Sequence, residues 1–376
     1  MPVLTVDAFS LRIPRLLEVL QALVEIESPT GDKAGVDQVG ELAVALMAER
    51  GAEVERHRQE VAGDHWVGRW GDGPGGMLLM CHLDTVHPLG TLAGFPWRTE
   101  GRRLYGPGVM DMKGGLALAL TAIEALAEVE ALPERRISLL CTSDEETGSR
   151  TSRPLIESLA SQHDLVLCLE PGMADGSVKT WRKGIGDFRL RVTGRPAHAG
   201  VEPEKGINAV VEMARQIRAI DAWQPPGTGA TVTPTLISGG TAANVVPETC
   251  ELAIDVRVMT AEQQTWIDTA LRSLEPVSAG AHLAIEGGWN RPPMARTELM
   301  GQTYERVKEI ASELGIALTE GGTGGGSDAN FVAPLGVPVM DGLGPVGWDA
   351  HTLVESLDLD SLAPRGAILA GILTDW

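Results

Sequence analysis

The chain lacks any uninterrupted apolar run of the roughly 18 residues needed to cross a bilayer, so no membrane span is expected. It is poor in positive charge: 31 Lys and Arg stand against 51 Asp and Glu, a net charge of −20. Lys and Arg form no cluster that could release counterions from phosphates, which excludes a nucleic-acid partner. The acidic balance also argues against anionic lipid. Only four cysteines occur, Cys81, Cys141, Cys168 and Cys250, all far apart. That spacing excludes a CxxC zinc site and a disulfide framework, and reads as buried thiols in a reducing compartment. The first thirty residues lack a basic start, an apolar run and a small-residue cleavage site, so no secretory signal is expected and the chain is read as cytoplasmic. There is no internal repeat, no low-complexity tract and no GxSxG elbow.

What is present is an ordinary globular composition, 43% hydrophobic and 22% charged, spread over 376 residues. That length predicts about two domains. Apolar residues at helical spacing mark 9–26, 34–50 and 114–130, with a further helix near 153–161. Short apolar runs at 75–81, 137–142 and 165–169 read as strands buried on both faces, hence a mostly parallel sheet covered by helices. Residues 181–287 follow a different order: strand 185–193, helix 206–220, strands 231–238 and 249–259, helix 261–274, strand 281–286. This β-α-β-β-α-β order is the split βαβ arrangement, a four-stranded sheet with helices on one face. The expected class is therefore α/β, with a catalytic domain over 1–180 and 288–376 and an inserted domain over 181–287. A helix at 298–314, a strand at 338–340 and a helix at 359–374 complete the first domain. Gly321–Gly326 reads as a flexible loop.

Five motifs carry chemistry. In LLMCHLDTVH a strand runs into His82 and Asp84, whose spacing puts both side chains on one face; a carboxylate so placed can orient a metal-binding imidazole. In YGPGVMDMKGG, Asp111 occupies a glycine-lined turn before a helix, where the plainer reading is an N-cap. TSDEETG places Asp144, Glu145 and Glu146 together at a strand end, where like charges repel unless cations or donors offset them. LCLEPG delivers Glu170 at the end of another buried strand. A glycine-rich GPVGWDAH ends in His351. Ligands of open α/β sheets bind outside the carboxyl ends of the strands. Two imidazoles and several carboxylates gathered there form a mixed N/O set suited to a pair of Zn²⁺ ions.

These motifs, with GRPAHAG, GGTAANVVP, DVR and GGGSDAN, run from 81 to 351. The sequence resembles the M20 metallopeptidase family, and within it the bacterial glutamate carboxypeptidases. The resemblance implies two zincs per subunit, with Co²⁺ or Mn²⁺ as substitutes. His82, Asp111 and Glu170 would hold one ion; Asp111, Glu146 and His351 would hold the other. Glu145 matches the general base and Asp84 the partner of His82. It implies a cis peptide after Asp111, and a ferredoxin-like insert acting as lid and dimerisation domain, with His198 reaching the partner subunit's site. Asn244 and Arg257 match positions that hold a substrate carboxylate, although Asn244 could cap a turn and Arg257 could pair with Asp255. Gly326, Lys183 and Ser327 are weaker candidates, and His57, His65, His87, His163 and His282 are read as surface or loop histidines. The implied reaction is amide hydrolysis releasing a C-terminal, acidic residue such as glutamate from small peptides or N-acyl amino acids. The alternative is an acetylornithine-type deacylase.

Overall fold

The computed structural model describes residues 3–376, and the chain divides into two compact units. The first comprises residues 1–181, 296–323 and 327–376; the second comprises Arg182–Ala295 and Gly324–Gly326.

The first unit is built on an eight-stranded sheet. Its strand order is Glu53–His57, His65–Trp70, Arg135–Thr142, Gly73–His82, Leu165–Cys168, Val339–Asp341, Val178–Arg182, Glu320–Thr323. The four central strands run parallel. Antiparallel pairing takes over at Glu53–His57 and His65–Trp70 on one side, and at Val178–Arg182 on the other. The centre is buried on both faces, so its strands are continuously apolar: Leu165–Cys168 is buried at every position, as parallel sheets require. Helix Lys113–Glu128 is apolar almost all round because it too is enclosed. Gly115 starts that enclosure: a Cβ there would sit 2.1 Å from the Leu169 carbonyl oxygen, so only glycine lets the helix approach the strand end. The expected single helix over 9–26 is two, Val6–Ser10 and Ile13–Val24, divided before Pro14. Glu320–Thr323 is a strand rather than loop, and Gly322 lies where a Cβ would meet the Trp181 ring.

The second unit is a four-stranded antiparallel sheet in the order Thr231–Gly239, Thr249–Val258, Gly184–Thr193, His282–Arg291. Alternation is strict in Gly184–Thr193: Phe188, Leu190 and Val192 are buried while Asp187, Arg189 and Arg191 are exposed. With Leu252, Ile254 and Val256 they form a core beneath helices Ala209–Asp221 and Ala261–Arg272. Burying each such side chain is worth about 1.5–3 kcal/mol. Both helices begin at side-chain caps: Asn208 accepts from the Val210 and Val211 amides, and Thr260 from that of Gln263. The unit extends to Ala295, beyond the expected 287, because its last strand runs to Arg291.

Candidate metal centre

Three parallel strands end side by side. His82 closes Gly73–His82 opposite Thr142, and Met80 pairs with Cys168 two residues before Glu170. The strand Arg135–Thr142 leads directly into the short helical turn Glu145–Thr147. Register alone therefore brings His82, Glu145, Glu146 and Glu170 to one rim. Asp111 comes from the turn before helix Lys113–Glu128, where the Asp111–Met112 peptide is cis. His351 comes from a loop in which Asp349 and His351 both have positive φ, 61° and 65°. Such a conformation costs a non-glycine residue about 1–3 kcal/mol and occurs where the surroundings enforce it.

Asp111 lies between two imidazoles. Its Oδ1 is 3.2 Å from His82 Nε2 and its Oδ2 is 3.1 Å from His351 Nε2. Glu170 Oε1 stands 3.7 Å from His82 Nε2, and Glu146 Oε2 stands 3.3 Å from His351 Nε2. Ligand atoms of His82, Asp111 and Glu146 all lie within 4.8 Å of one another, as do those of His82, Glu145 and Glu170.

The electrostatics follow from this crowding. Burial alone would raise the Asp111 carboxyl, but hydrogen bonds to His351 and His82 hold it far below the usual carboxylate range. Burial, with Asp111 beside it, pushes Glu146 up despite its bond to His351. Hydrogen bonds to Asp111 and Glu146 raise His351 to about 11. Burial would lower His82, yet bonds to Asp111 and Asp84 carry it well above its ordinary value. Glu146 Oε1 is buried without a hydrogen-bond partner. Without metal, protonated imidazoles supply the positive charge these carboxylates need. Two nitrogens and three carboxylates fit a pair of divalent ions of the zinc class, and the orphaned Glu146 oxygen is a free donor for one of them.

Asp84 does more than expected. The His82 ring meets the Asp84 backbone oxygen at 2.8 Å through Nδ1, leaving Nε2 toward the cluster. The Asp84 carboxylate accepts from the Glu145 amide (3.2 Å), the Glu146 amide (3.1 Å) and the Thr30 hydroxyl (2.7 Å). It thus ties the acidic turn to the His82 strand end.

In the second unit, His198 is exposed and accepts the Gly200 amide on Nδ1 at 3.1 Å. The Asn244 backbone carbonyl accepts from the Ala199 amide at 2.9 Å, so Asn244 lies beside His198. Arg257 is engaged by Asp255, with Nε–Oδ1 at 2.9 Å and Nη2–Oδ2 at 2.8 Å, the pairing that its strand position allows. Gly326 packs on Arg291 and Ile185 with no room for a Cβ, and Lys183 is half-buried. Ser327 is fully buried and donates to Asp341 Oδ2 at 2.8 Å, a structural contact.

Among the histidines read as surface or loop residues, His87 and His163 do lie in loops and His65 opens a strand, but all three are buried. His65 is held between Ser143 and Thr151, His163 between Leu159 and Ser138, and His87 against Glu355. Each imidazole finds two-sided or charged partners inside the fold, which a lone His in sequence cannot reveal. Sequence reading also passed over Glu355, a charged residue in a short loop whose full burial is its only signal.

The profile of peptidase family M20/M25/M40 matches residues 78–375. Carboxypeptidase G2 of Pseudomonas sp. strain RS-16 is 33% identical over 378 residues, covering 96% of this chain and 89% of that protein. Acetylornithine deacetylase of Erwinia tasmaniensis is 30% identical, covering 96% of this chain and 98% of that protein. Aminopeptidase PepT of Bacillus cereus shares the fold, with a TM-score of 0.77 at 23% identity over 96% of this chain and 98% of that chain. Among the described residues no helix is long and apolar enough to cross a membrane. The match spans every residue of the cluster from His82 to His351, and the chain belongs to peptidase family M20/M25/M40, a family of metal-dependent hydrolases.

Proposed function

We propose that the protein is a di-zinc carboxypeptidase that hydrolyses the amide bond to a C-terminal, acidic residue of small peptides or N-acyl amino acids. The observation carrying this reading is Asp111, whose two carboxylate oxygens each face a different imidazole. His82, Asp111 and Glu170 would hold one ion, and Asp111, Glu146 and His351 the other. Zinc held there would acidify water and polarise the scissile carbonyl. Glu145 takes the proton of the attacking water and returns it to the leaving amine. Asp84 holds the turn that carries Glu145. The Gly200 amide fixes the His198 tautomer with its proton on Nε2, which donates to the developing oxyanion. The similarity to Carboxypeptidase G2 supports a carboxypeptidase, while that to acetylornithine deacetylase supports an N-acyl amino acid deacylase as the second reading. Turnover of the zinc-loaded enzyme on a panel of dipeptides and N-acyl amino acids tests both. Release of C-terminal glutamate supports the first, exclusive cleavage of N-acetylated amino acids the second, and no turnover on any amide overturns both. Four buried free thiols support a reducing compartment.

Arg257, together with Asn244 and Gly326, is read as the holder of the substrate carboxylate. Asp255 then competes with substrate for the guanidinium. The pair is partly exposed and worth at most about 1 kcal/mol, so substrate can displace it. Asp255→Asn is expected to lower KM several-fold for carboxylate substrates, and Arg257→Ala to raise it. An unchanged KM in both removes the assignment.

The inserted unit is read as lid and homodimerisation unit, its sheet carrying helices on one face only. A twofold dimer would let His198 act across the interface. Mixing His198→Ala with Glu145→Gln puts both defects in one site of a mixed dimer and leaves the other intact, so activity should return as subunits exchange. Exchange without recovery assigns His198 to its own chain.

A further inference from the structure

Glu355 sits in the same loop as His351, four residues on, and its side chain is fully buried. One of its oxygens accepts the amides of Met110 (2.9 Å) and Asp111 (3.1 Å). The other accepts the amide of Gly108 at 3.2 Å and meets Nε2 of the buried His87 at 2.8 Å. An ionised carboxylate has about four acceptor sites, and here four donors converge on it. Three of those donors belong to the turn that ends in Asp111. Gly108 in that turn has φ 70°, and a Cβ there would press on Thr85, so the turn has little freedom of its own. On its own side, Glu355 is tied back toward His351 by successive turn bonds, Glu355 to Thr352 and Thr352 to Asp349. One carboxylate therefore joins the loop carrying His351 to the turn carrying Asp111.

We infer that Glu355, clamped by His87, is a positioning residue that sets the separation of Asp111 and His351 and so builds one metal position selectively. It reaches both ligands through backbone and touches neither side chain at its acceptor end. His82 and Glu170 lie on strand ends that Glu355 does not contact in any of these bonds, so the metal position they share with Asp111 depends on it less. The inference rests on the metal reading above.

Glu355→Gln tests it. The amide keeps the shape but turns one oxygen into a donor, which then faces N–H groups. Two readouts are needed. In metal-stripped protein, hydrogen exchange at Gly108, Met110 and Asp111 should quicken while the rest of the chain keeps its protection. In a zinc titration against a competing chelator, wild type should show two steps, and the variant should weaken one by about 10–100-fold, the usual effect of a residue that orients metal ligands. The other step should weaken far less. His87→Leu should reproduce a smaller version of both effects, and His87→Gln, which restores a donor, should recover them. If Glu355→Gln does not fold, the His87 pair carries the test. A folded variant with both steps unchanged, or both weakened equally, overturns the inference while wild-type binding of two zincs leaves the metal reading standing. A wild type that takes up no zinc overturns the metal reading, and this inference falls with it.

Discussion

Replacing Glu145 by glutamine is expected to lower kcat by about 10³-fold, within the 10²–10⁴ range of general-base contributions. Both metal equivalents should stay bound. The carboxylate is proposed to move a proton rather than to hold an ion, and glutamine keeps its size while losing its basicity. Asp84 takes the Glu145 and Glu146 main-chain amides, which the substitution leaves in place, so the turn itself should not move. Steady-state kinetics with metal analysis of the same sample checks the pair of outcomes. Near wild-type turnover at full metal content would shift the role of base to Glu146.

Removing the shared carboxylate should have the other large effect. Asp111→Ala takes away the side chain that lies between both imidazoles. Metal content should fall from two equivalents to one or fewer. Turnover should drop by at least about 10³-fold, because a metal ion's stabilisation of transition-state charge is worth several kcal/mol. A variant that loses one ion and stays active would rule out a bridging role. The same residue sets a pH effect. In metal-free protein, hydrogen bonds to Asp111 and Glu146 lift His351 to about 11, so its imidazole carries a proton at neutral pH. Its pKa is raised above the unfolded value, so its contribution to stability is full below about 6.5 and is lost as pH rises through about 11. Metal must displace that proton, so zinc binding at pH 7 should release protons and weaken as pH falls. Calorimetry in buffers of different ionisation enthalpy measures the release, which should shrink in Asp111→Ala. No buffer dependence in wild type would show the imidazole already neutral.

Much of this protein can be read along the chain. Continuously apolar runs identified the parallel centre, since strands buried on both faces leave no room for alternation. Capping residues explain why the helix starts at Ala209, Ala261 and Glu298 lie so near the expected ones. The β-α-β-β-α-β order of the insert follows from strand and helix periods alone. The polar edge strand Glu53–His57 was not legible, because an edge strand half in water carries too weak a pattern. Neither was its buried neighbour His65–Trp70, where Gly68 and Arg69 interrupt the apolar run.

The residues proposed to hold metal were visible because each ends a buried strand or sits in a glycine-rich turn, where a charge has no packing purpose. Local order determined which residue types reach the rim: His82, Asp111, Glu145, Glu146, Glu170 and His351. Distances among them were decided only by tertiary structure. His351 is 240 residues from Asp111, and nothing local sets their 3.1 Å approach. The same holds for His65, His87 and His163, which look alike in sequence but are buried against different partners. It holds most for Glu355, an ordinary loop glutamate by its neighbours in sequence. Its meaning comes from four donors brought from 244 to 268 residues away. Periodicity and capping act within a few residues, so sequence carries them openly. A buried charge is stabilised only by the particular groups the completed fold brings to it, so its role exists only in three dimensions.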